Sequence, residues 1–317
     1  MFNSSTHTFE QTTSHILMIR PVRFAFNEQT AASNAFQDPT ALEAAEAAQA
    51  KALREFDAMA DNLRGLGIDV IVIEDTPEPH TPDAIFPNNW ISFHQHGDGT
   101  VYLYPMQAPN RRLERRSDII ELLKRRFRIS KVVDLSAYEA ENKFLEGTGS
   151  MVLDRDYRIA YACLSPRTDA ELLAEFAGKM DYRVVAFHAT DEQQKPIYHT
   201  NVIMCIGERF AVICLDCITN EKERSHVKQT LTETNKEIIE ISIDQVYRFA
   251  GNMLQLRTQS GEGLLVMSSQ AYYALQPDQL RRLEKYTQIT YSDLLTIERN
   301  GGGSARCMIA EIHLPEL

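Results

Sequence analysis

Residues 89–105 read NWISFHQHGDGTVYLYP. Two β-rich stretches, WISFH and VYLYP, flank His96-Gly97-Asp98-Gly99, a group of turn residues that marks a hairpin. A helical stretch from Arg111 to Phe127 and a short strand, Lys131 to Val133, follow. The unit is therefore strand, strand, helix, strand.

The same order recurs three times. Residues 149–162 predict a hairpin around Asp154-Arg155-Asp156, then a helix from Asp169 to Lys179 and a strand from Tyr182 to Phe187. Residues 201–215 predict another around Gly207-Glu208, with a helix from Asn220 to Thr234 and a strand from Glu237 to Ile241. Residues 252–267 turn at Ser260-Gly261-Glu262-Gly263, before a helix near Pro277 to Lys285 and a strand from Thr287 to Tyr291. The remaining pieces complete a fifth unit shared between the two ends of the chain. They are a C-terminal strand (Arg306 to His313), an N-terminal strand (His15 to Arg20), the Ala-rich helix of Thr40 to Leu66 and the strand Ile68 to Ile73. A period of roughly 50 residues belongs to closed radial arrays. The expected fold class is α/β: a five-bladed ββαβ propeller with pseudo-five-fold symmetry, its fifth blade closed by the N- and C-termini. It occupies residues 14–317 as one domain, behind a polar, mobile N-terminal arm, residues 1–13.

Composition narrows the function. Hydrophobic residues make up 44% of the 317 and charged residues 24%, the balance of a globular protein with a substantial core. The net charge is −11, with basic residues scattered, which argues against nucleic acid as partner. No apolar run approaches the roughly 20 residues needed to span a bilayer, and the first residues have no secretory pattern. Five cysteines, an odd number in so long a chain, fit a reducing cytoplasm better than a disulfide framework. Cys214-Leu215-Asp216-Cys217 has the spacing of half a zinc site but lacks a second pair, and His94-Gln95-His96 reads as a solvated hairpin face. Neither a metal nor a cofactor is expected.

The polar residues that stand out occupy equivalent places. Asn89, Glu146, His199, Asn252 and Cys307 lie 57, 53, 53 and 55 positions apart, each at or near the start of a unit's first hairpin strand. In a closed array such positions converge at one end of the axis. Cys307 ends Gly301-Gly302-Gly303-Ser304-Ala305-Arg306-Cys307, where glycines admit a close approach and Arg306 would favour the thiolate. His199, in Tyr198-His199-Thr200-Asn201, supplies an acid/base near neutral pH. Glu146, in Phe144-Leu145-Glu146-Gly147-Thr148-Gly149, would orient the imidazole and stabilise its cation.

With these residues in view, the chain resembles the guanidine-modifying (pentein) superfamily of arginine deiminases, dimethylarginine dimethylaminohydrolases and amidinotransferases, over nearly everything from His15 onward. The Gly-Gly-Gly-Ser-Ala-Arg-Cys end looks like the nucleophile loop of that family. The resemblance implies a five-fold ββαβ propeller and a hydrolase of C–N bonds, with Cys307 as nucleophile, His199 as acid/base and Glu146 as triad carboxylate. It implies further that Asp83, in Thr81-Pro82-Asp83-Ala84-Ile85-Phe86-Pro87-Asn88-Asn89, grips the head group. Arg111 and Arg167 match positions that bind the amino acid end, where a guanidinium fork suits a carboxylate.

The departures bear on the substrate. Relatives place acidic residues against a guanidinium where this chain has Asn88 and Asn89, and the family's His-x-Asp is here His199-Thr200-Asn201. A guanidinium stays charged, with a pKa above about 12. Burying it without carboxylates costs several kcal/mol. A ureido group is neutral, and Asn offers it both a donor and an acceptor. The expectation is hydrolysis of citrulline to ornithine, carbon dioxide and ammonia. The rivals are arginine or methylarginine hydrolysis and, from another class, a non-catalytic binding pentein. The partner is a small amino acid, and self-association into a homo-oligomer is compatible with the sequence.

Overall fold

The computed structural model describes residues 10–31, 33–38, 40 and 45–317. Among the described residues fifteen strands form five separate three-stranded sheets. β1 (His15–Arg20) pairs in parallel with β2 (Asp69–Glu74). β3 (Ile91–His94) and β4 (Thr100–Leu103) form the first hairpin, with Phe93 opposite Val101, and β5 (Lys131–Asp134) adds in parallel to β4. The same pattern builds β6 (Val152–Asp154), β7 (Ile159–Cys163) and β8 (Arg183–Phe187). It builds β9 (Met204–Ile206), β10 (Phe210–Ile213) and β11 (Glu237–Glu240), then β12 (Leu254–Arg257), β13 (Gly263–Ser268) and β14 (Gln288–Ser292). β15 (Ala310–Glu311) pairs antiparallel with β1, so the first sheet is assembled from both ends of the chain.

Burial grades across each sheet. The first strands β3, β6 and β9 are buried at every residue, and so are the middle strands β7 and β10. The third strands β5, β8, β11 and β14 each expose part of their length. Near-continuous apolar runs are what strands covered on both faces require. β15 lies beside β3, β6 beside β9, and β9 beside β12, so the first strands are neighbours. Helices cover the sheets where local chemistry permits. Asp169 caps the helix Ala170–Met180 and Asn220 caps Glu221–Glu233, each accepting two backbone N–H bonds. Phe56, Met59 and Leu63, fully buried on helix Ala45–Gly65, each contribute about 2 kcal/mol of burial.

Four expectations are corrected. The helix foreseen from Arg111 to Phe127 is a 3₁₀ turn, Pro109–Glu114, followed by a short helix, Ser117–Leu123. The C-terminal strand shrinks to two residues because the preceding chain turns, with Cys307 N–H bonding Ser304 O at 2.9 Å. His94 is buried, with Nε2 2.7 Å from Ser92 Oγ and Nδ1 3.2 Å from Arg155 Nη1. The foreseen arm is packed at its inner end: Gln11 is buried and donates to the carbonyls of Leu153 and Ile206. Residues 1–9 of that arm, and residues 41–44 of the foreseen helix Thr40 to Leu66, lie outside the described residues.

Candidate active site

Each residue of the five-fold constellation sits on a single turn that leads towards a first strand. Asn89 ends the 3₁₀ turn Pro87–Asn89, and Glu146 precedes the one-turn helix Gly147–Ser150. His199 precedes the turn Thr200–Val202, and Asn252 N–H closes a turn on Phe249 O at 2.8 Å. These turns aim five side chains at one place.

Cys307 and His199 line a common cavity with Asp83, Asn89, Arg111 and Arg167, closed by Asn34, Phe86, Tyr198 and Gly301, Gly302 and Gly303. Its volume is ≈ 20 Å³, room for about one water. Glu146, wholly buried behind His199, accepts from its Nε2 at 2.8 Å and from Gln107 N–H at 2.9 Å. Arg167 Nη1 lies 3.5 Å from the same carboxylate and its guanidinium 4.8 Å from the Tyr198 ring. Burial opposes the charge on Glu146, but Arg167, His199 and Arg111 outweigh it and hold the carboxyl at about 2. An ionised Glu146 places the imidazole proton on Nε2 and leaves Nδ1 basic. Burial also drives His199 down to about 4, with Glu146 opposing and the two arginines assisting. The resting ring is neutral and ready to take a proton.

Close approach is built into the loops. A Cβ on Gly149 would lie 2.3 Å from Asn89 Nδ2 and 2.8 Å from His199 Nδ1, so only glycine lets these two side chains sit together. Gly302 has φ +64°, and its carbonyl accepts the Tyr198 hydroxyl at 2.8 Å.

The sulfur of Cys307 lies 3.4 Å from Asn201 Nδ2 and 3.2 Å from Asn252 Nδ2. Arg306, expected beside the thiol, turns away: its Nη1 donates to Ile309 O and its Nη2 to Glu311 at 2.6 Å. Arg111 is likewise committed. Nε and Nη2 grip the two oxygens of Glu114 at 2.9 Å each, and Nη1 donates to Asn89 Oδ1 at 2.8 Å. Burial opposes the Arg111 charge, but Glu114 and Asp83 outweigh it and raise its pKa. In the 3₁₀ turn residues 111 and 114 eclipse, which makes the grip possible. Glu114 went unrecognised in the sequence, as did the segment 27–38. There Asn27 donates to Asp83 Oδ2 at 2.7 Å, and Ser33 and Thr30 accept from Arg167 Nη2.

Unpaired buried polar atoms are frequent among the expected site residues, although Asn88 does not line the cavity and Asn201 meets the site only at the Cys307 sulfur. Of ten such side-chain atoms among the described residues, six belong to Asp83 (Oδ1), Asn88 (both), Asn89 (Nδ2), Arg167 (Nε) and Asn201 (Oδ1). Each costs about 1–3 kcal/mol unless something binds it. Burial raises the pKa of Asp83, with Arg111 opposing.

Acid lability follows. His199 and His313 are both lowered to about 4, mainly by burial, and His94 lies well below 6.5 for the same reason. Below pH 6.5 the unfolded chain takes up protons that the folded chain refuses. The stability these histidines contribute is therefore full above about pH 6.5 and declines as pH falls towards 4. Glu146, depressed to about 2, removes more as pH falls from 4.5. Buried carboxyls act the other way in this range: burial raises Glu114 to about 8 and Glu298 to about 7, so the folded chain takes up protons there and offsets the loss. NMR titration of the histidine rings should find His199 and His313 still neutral at about pH 5, and rings that protonate near their ordinary value would contradict buried neutral histidines.

Residues 20–314 match the family model described as N,N dimethylarginine dimethylhydrolase, eukaryotic. Among solved structures, ArgZ, an arginine dihydrolase from the ornithine-ammonia cycle in cyanobacteria, aligns with a TM-score of 0.73 at 17% identity. That alignment covers 96% of this chain but 41% of ArgZ. The N-terminal domain of ArgZ, captured as a mutant bound to substrate, aligns at 0.73 and 16% identity over 96% of this chain and 99% of the domain. A dimethylarginine dimethylaminohydrolase variant, as its adduct with S-methyl-L-thiocitrulline, gives 0.62 at 17% identity, over 96% of this chain and 100% of that one. No curated protein sequence matches. These structures share the α/β fold of several small mixed sheets. Among the described residues no helix is long and apolar enough to cross a membrane.

Proposed function

The chain belongs to the N,N-dimethylarginine dimethylhydrolase family, among the guanidine-modifying pentein hydrolases of carbon–nitrogen bonds, and on that premise we propose that it hydrolyses citrulline to ornithine, carbon dioxide and ammonia. The five sheets are read as blades of a propeller, with the site at the end of the axis where the first strands begin.

One observation carries the choice of substrate. Arg111 Nη1 can only donate, so Asn89 must present Oδ1 to it, and Asn89 Nδ2 is left as a buried donor without a partner. A ureido oxygen accepts that bond. A guanidinium has no acceptor and would set donor against donor. The carboxylates lend support: Glu114 is gripped by Arg111, Glu146 serves His199 and Arg167, and Asp83 is the one carboxylate lining the cavity among the described residues, 3.8 Å from Arg111. Two guanidinium groups already on the wall disfavour a third.

The reaction then proceeds as follows. The cavity widens to admit an amino acid, since its volume of ≈ 20 Å³ is too small for one, and Asn34 on its rim is placed to give way. Arg167 Nε takes the α-carboxylate and Asp83 Oδ1 accepts substrate N–H groups, whereas Asn88, outside the cavity lining, makes no contact with substrate. Arg111 is reassigned from clamp to positioning residue for Asn89. His199 Nδ1 accepts the thiol proton and Cys307 sulfur bonds the ureido carbon, while Asn89 Nδ2 stabilises the oxyanion. His199 returns the proton to the δ-nitrogen, the C–N bond breaks and ornithine leaves an S-carbamoyl enzyme. Water deprotonated by His199 displaces the sulfur as carbamate, which decomposes to carbon dioxide and ammonia.

The test is ornithine and ammonia release from citrulline, arginine and the methylarginines side by side. Citrulline should be preferred in kcat/KM by at least about 100-fold, since a site built around an unpaired donor rejects analogues that cannot accept. A preference for arginine or dimethylarginine, as the family description would suggest, overturns the ureido reading.

A further inference from the structure

Four of the five equivalent positions have roles in the reading above: Asn89, Glu146, His199 and Cys307. The fifth is Asn252. It is buried, and its side-chain bonds settle its orientation. Nδ2 donates to the backbone carbonyl of Asn201 at 2.9 Å, and Oδ1 accepts the backbone N–H of Arg306 at 3.1 Å. A carbonyl only accepts and an N–H only donates, so the carboxamide cannot be flipped. The remaining N–H of Nδ2 donates to Cys307 Sγ at 3.2 Å, a shorter contact than the one in which the protonated thiol donates to Oδ1 at 3.7 Å. Asn201 Nδ2 approaches the same sulfur at 3.4 Å.

Arg306, the cation adjacent in sequence, is held by Glu311. We propose that Asn252 is a catalytic residue that, with Asn201, holds the Cys307 sulfur between two carboxamide N–H groups and so favours its thiolate. An aspartate at position 201, as in the family's His-x-Asp, would present oxygen to sulfur and oppose that anion. At rest the thiol proton passes to solvent while His199 stays neutral, and the two N–H groups take up the charge left on sulfur. This rests on Cys307 as the nucleophile and is independent of which substrate is cleaved.

The test uses the full chain and no substrate. The ultraviolet thiolate band is taken at neutral pH as the difference from Cys307→Ser, and alkylation of Cys307 by iodoacetamide is followed by mass spectrometry. In Asn252→Ala the band should shrink and alkylation slow about tenfold or more, the worth of a charged hydrogen bond. A folded Asn252→Ala with band and rate unchanged overturns the proposal, as does a parent enzyme without the band. Should Asn252→Ala fail to fold, Asn201→Ala keeps the backbone carbonyl that Asn252 needs and decides the matter: slowed alkylation supports the cradle and an unchanged rate overturns it. A failed citrulline assay leaves this measurement intact, and a failed cradle leaves the substrate panel intact.

Discussion

Cys307→Ala should reduce citrulline turnover by at least about 10⁴-fold, because Cys307 supplies the one thiol among the described residues that line the cavity. Within the cavity wall the remaining lining side chains are carboxamides, guanidiniums, a carboxylate, an imidazole and aromatic rings. His199 could still activate water, but the ureido carbon is a weak electrophile and water a weaker nucleophile than a thiolate. Stability should change little. The substitution deletes one buried sulfur whose hydrogen-bond partners among the described residues are the Asn201 and Asn252 side chains. Citrulline should still bind, and the variant should still raise Tm when citrulline is added. Mass spectrometry of the parent during turnover should find a carbamoyl adduct on Cys307, absent from the variant. Turnover within tenfold of the parent in a folded Cys307→Ala would end the covalent mechanism. Combining it with a second triad substitution should cost almost nothing more, since the three side chains act as one unit.

The repeat was the most legible feature of the chain, because hairpin turns and third strands announce themselves in composition. Gly97 and Gly99 have positive φ, and Gly207 and Gly263 sit where a Cβ would crowd neighbours, so the punctuation has a physical cause. The convergence of Glu146, His199 and Cys307 was readable from spacing alone. Other features were hidden. Arg111 and Glu114 look like an ordinary i,i+3 pair on a helix face, and nothing local says that both are buried; Pro109 ahead of them was the available hint of a tight turn. Arg306 stands next to Cys307 in sequence but finds Glu311 in space. The segment 27–38 has no counterpart in the other units, so periodicity could not assign it, although it closes the cavity through Asn34 and bonds Asp83 and Arg167. Residues dictated by the repeat were visible, and those that depend on one long-range partner were not.

Glu146→Gln should lower kcat by about 10³–10⁴-fold while leaving the fold recognisable. The argument is one of donors and acceptors. Gln107 N–H requires an acceptor at Oε1, so a glutamine must keep its oxygen there. Its NH₂ then faces His199 Nε2 and Arg167 Nη1, which lie 2.8 and 3.5 Å from the native oxygen. Two donors cannot share that space, so His199 must present a bare Nε2 and carry its proton on Nδ1. The ring nitrogen that should receive the thiol proton is then already occupied. Loss of the carboxylate also leaves Arg167 with an uncompensated buried charge, which should cost about 3–5 kcal/mol of stability. Part of any activity loss could therefore be unfolding, and the two must be separated. Circular dichroism and Tm report the folded fraction, and kcat is then taken on folded enzyme well below the new Tm. KM should move far less than kcat, because Glu146 lies behind the imidazole rather than in the cavity wall. A folded Glu146→Gln enzyme retaining more than about a tenth of parental kcat would show that the carboxylate serves only to balance Arg167, and His199 would then need another source of orientation.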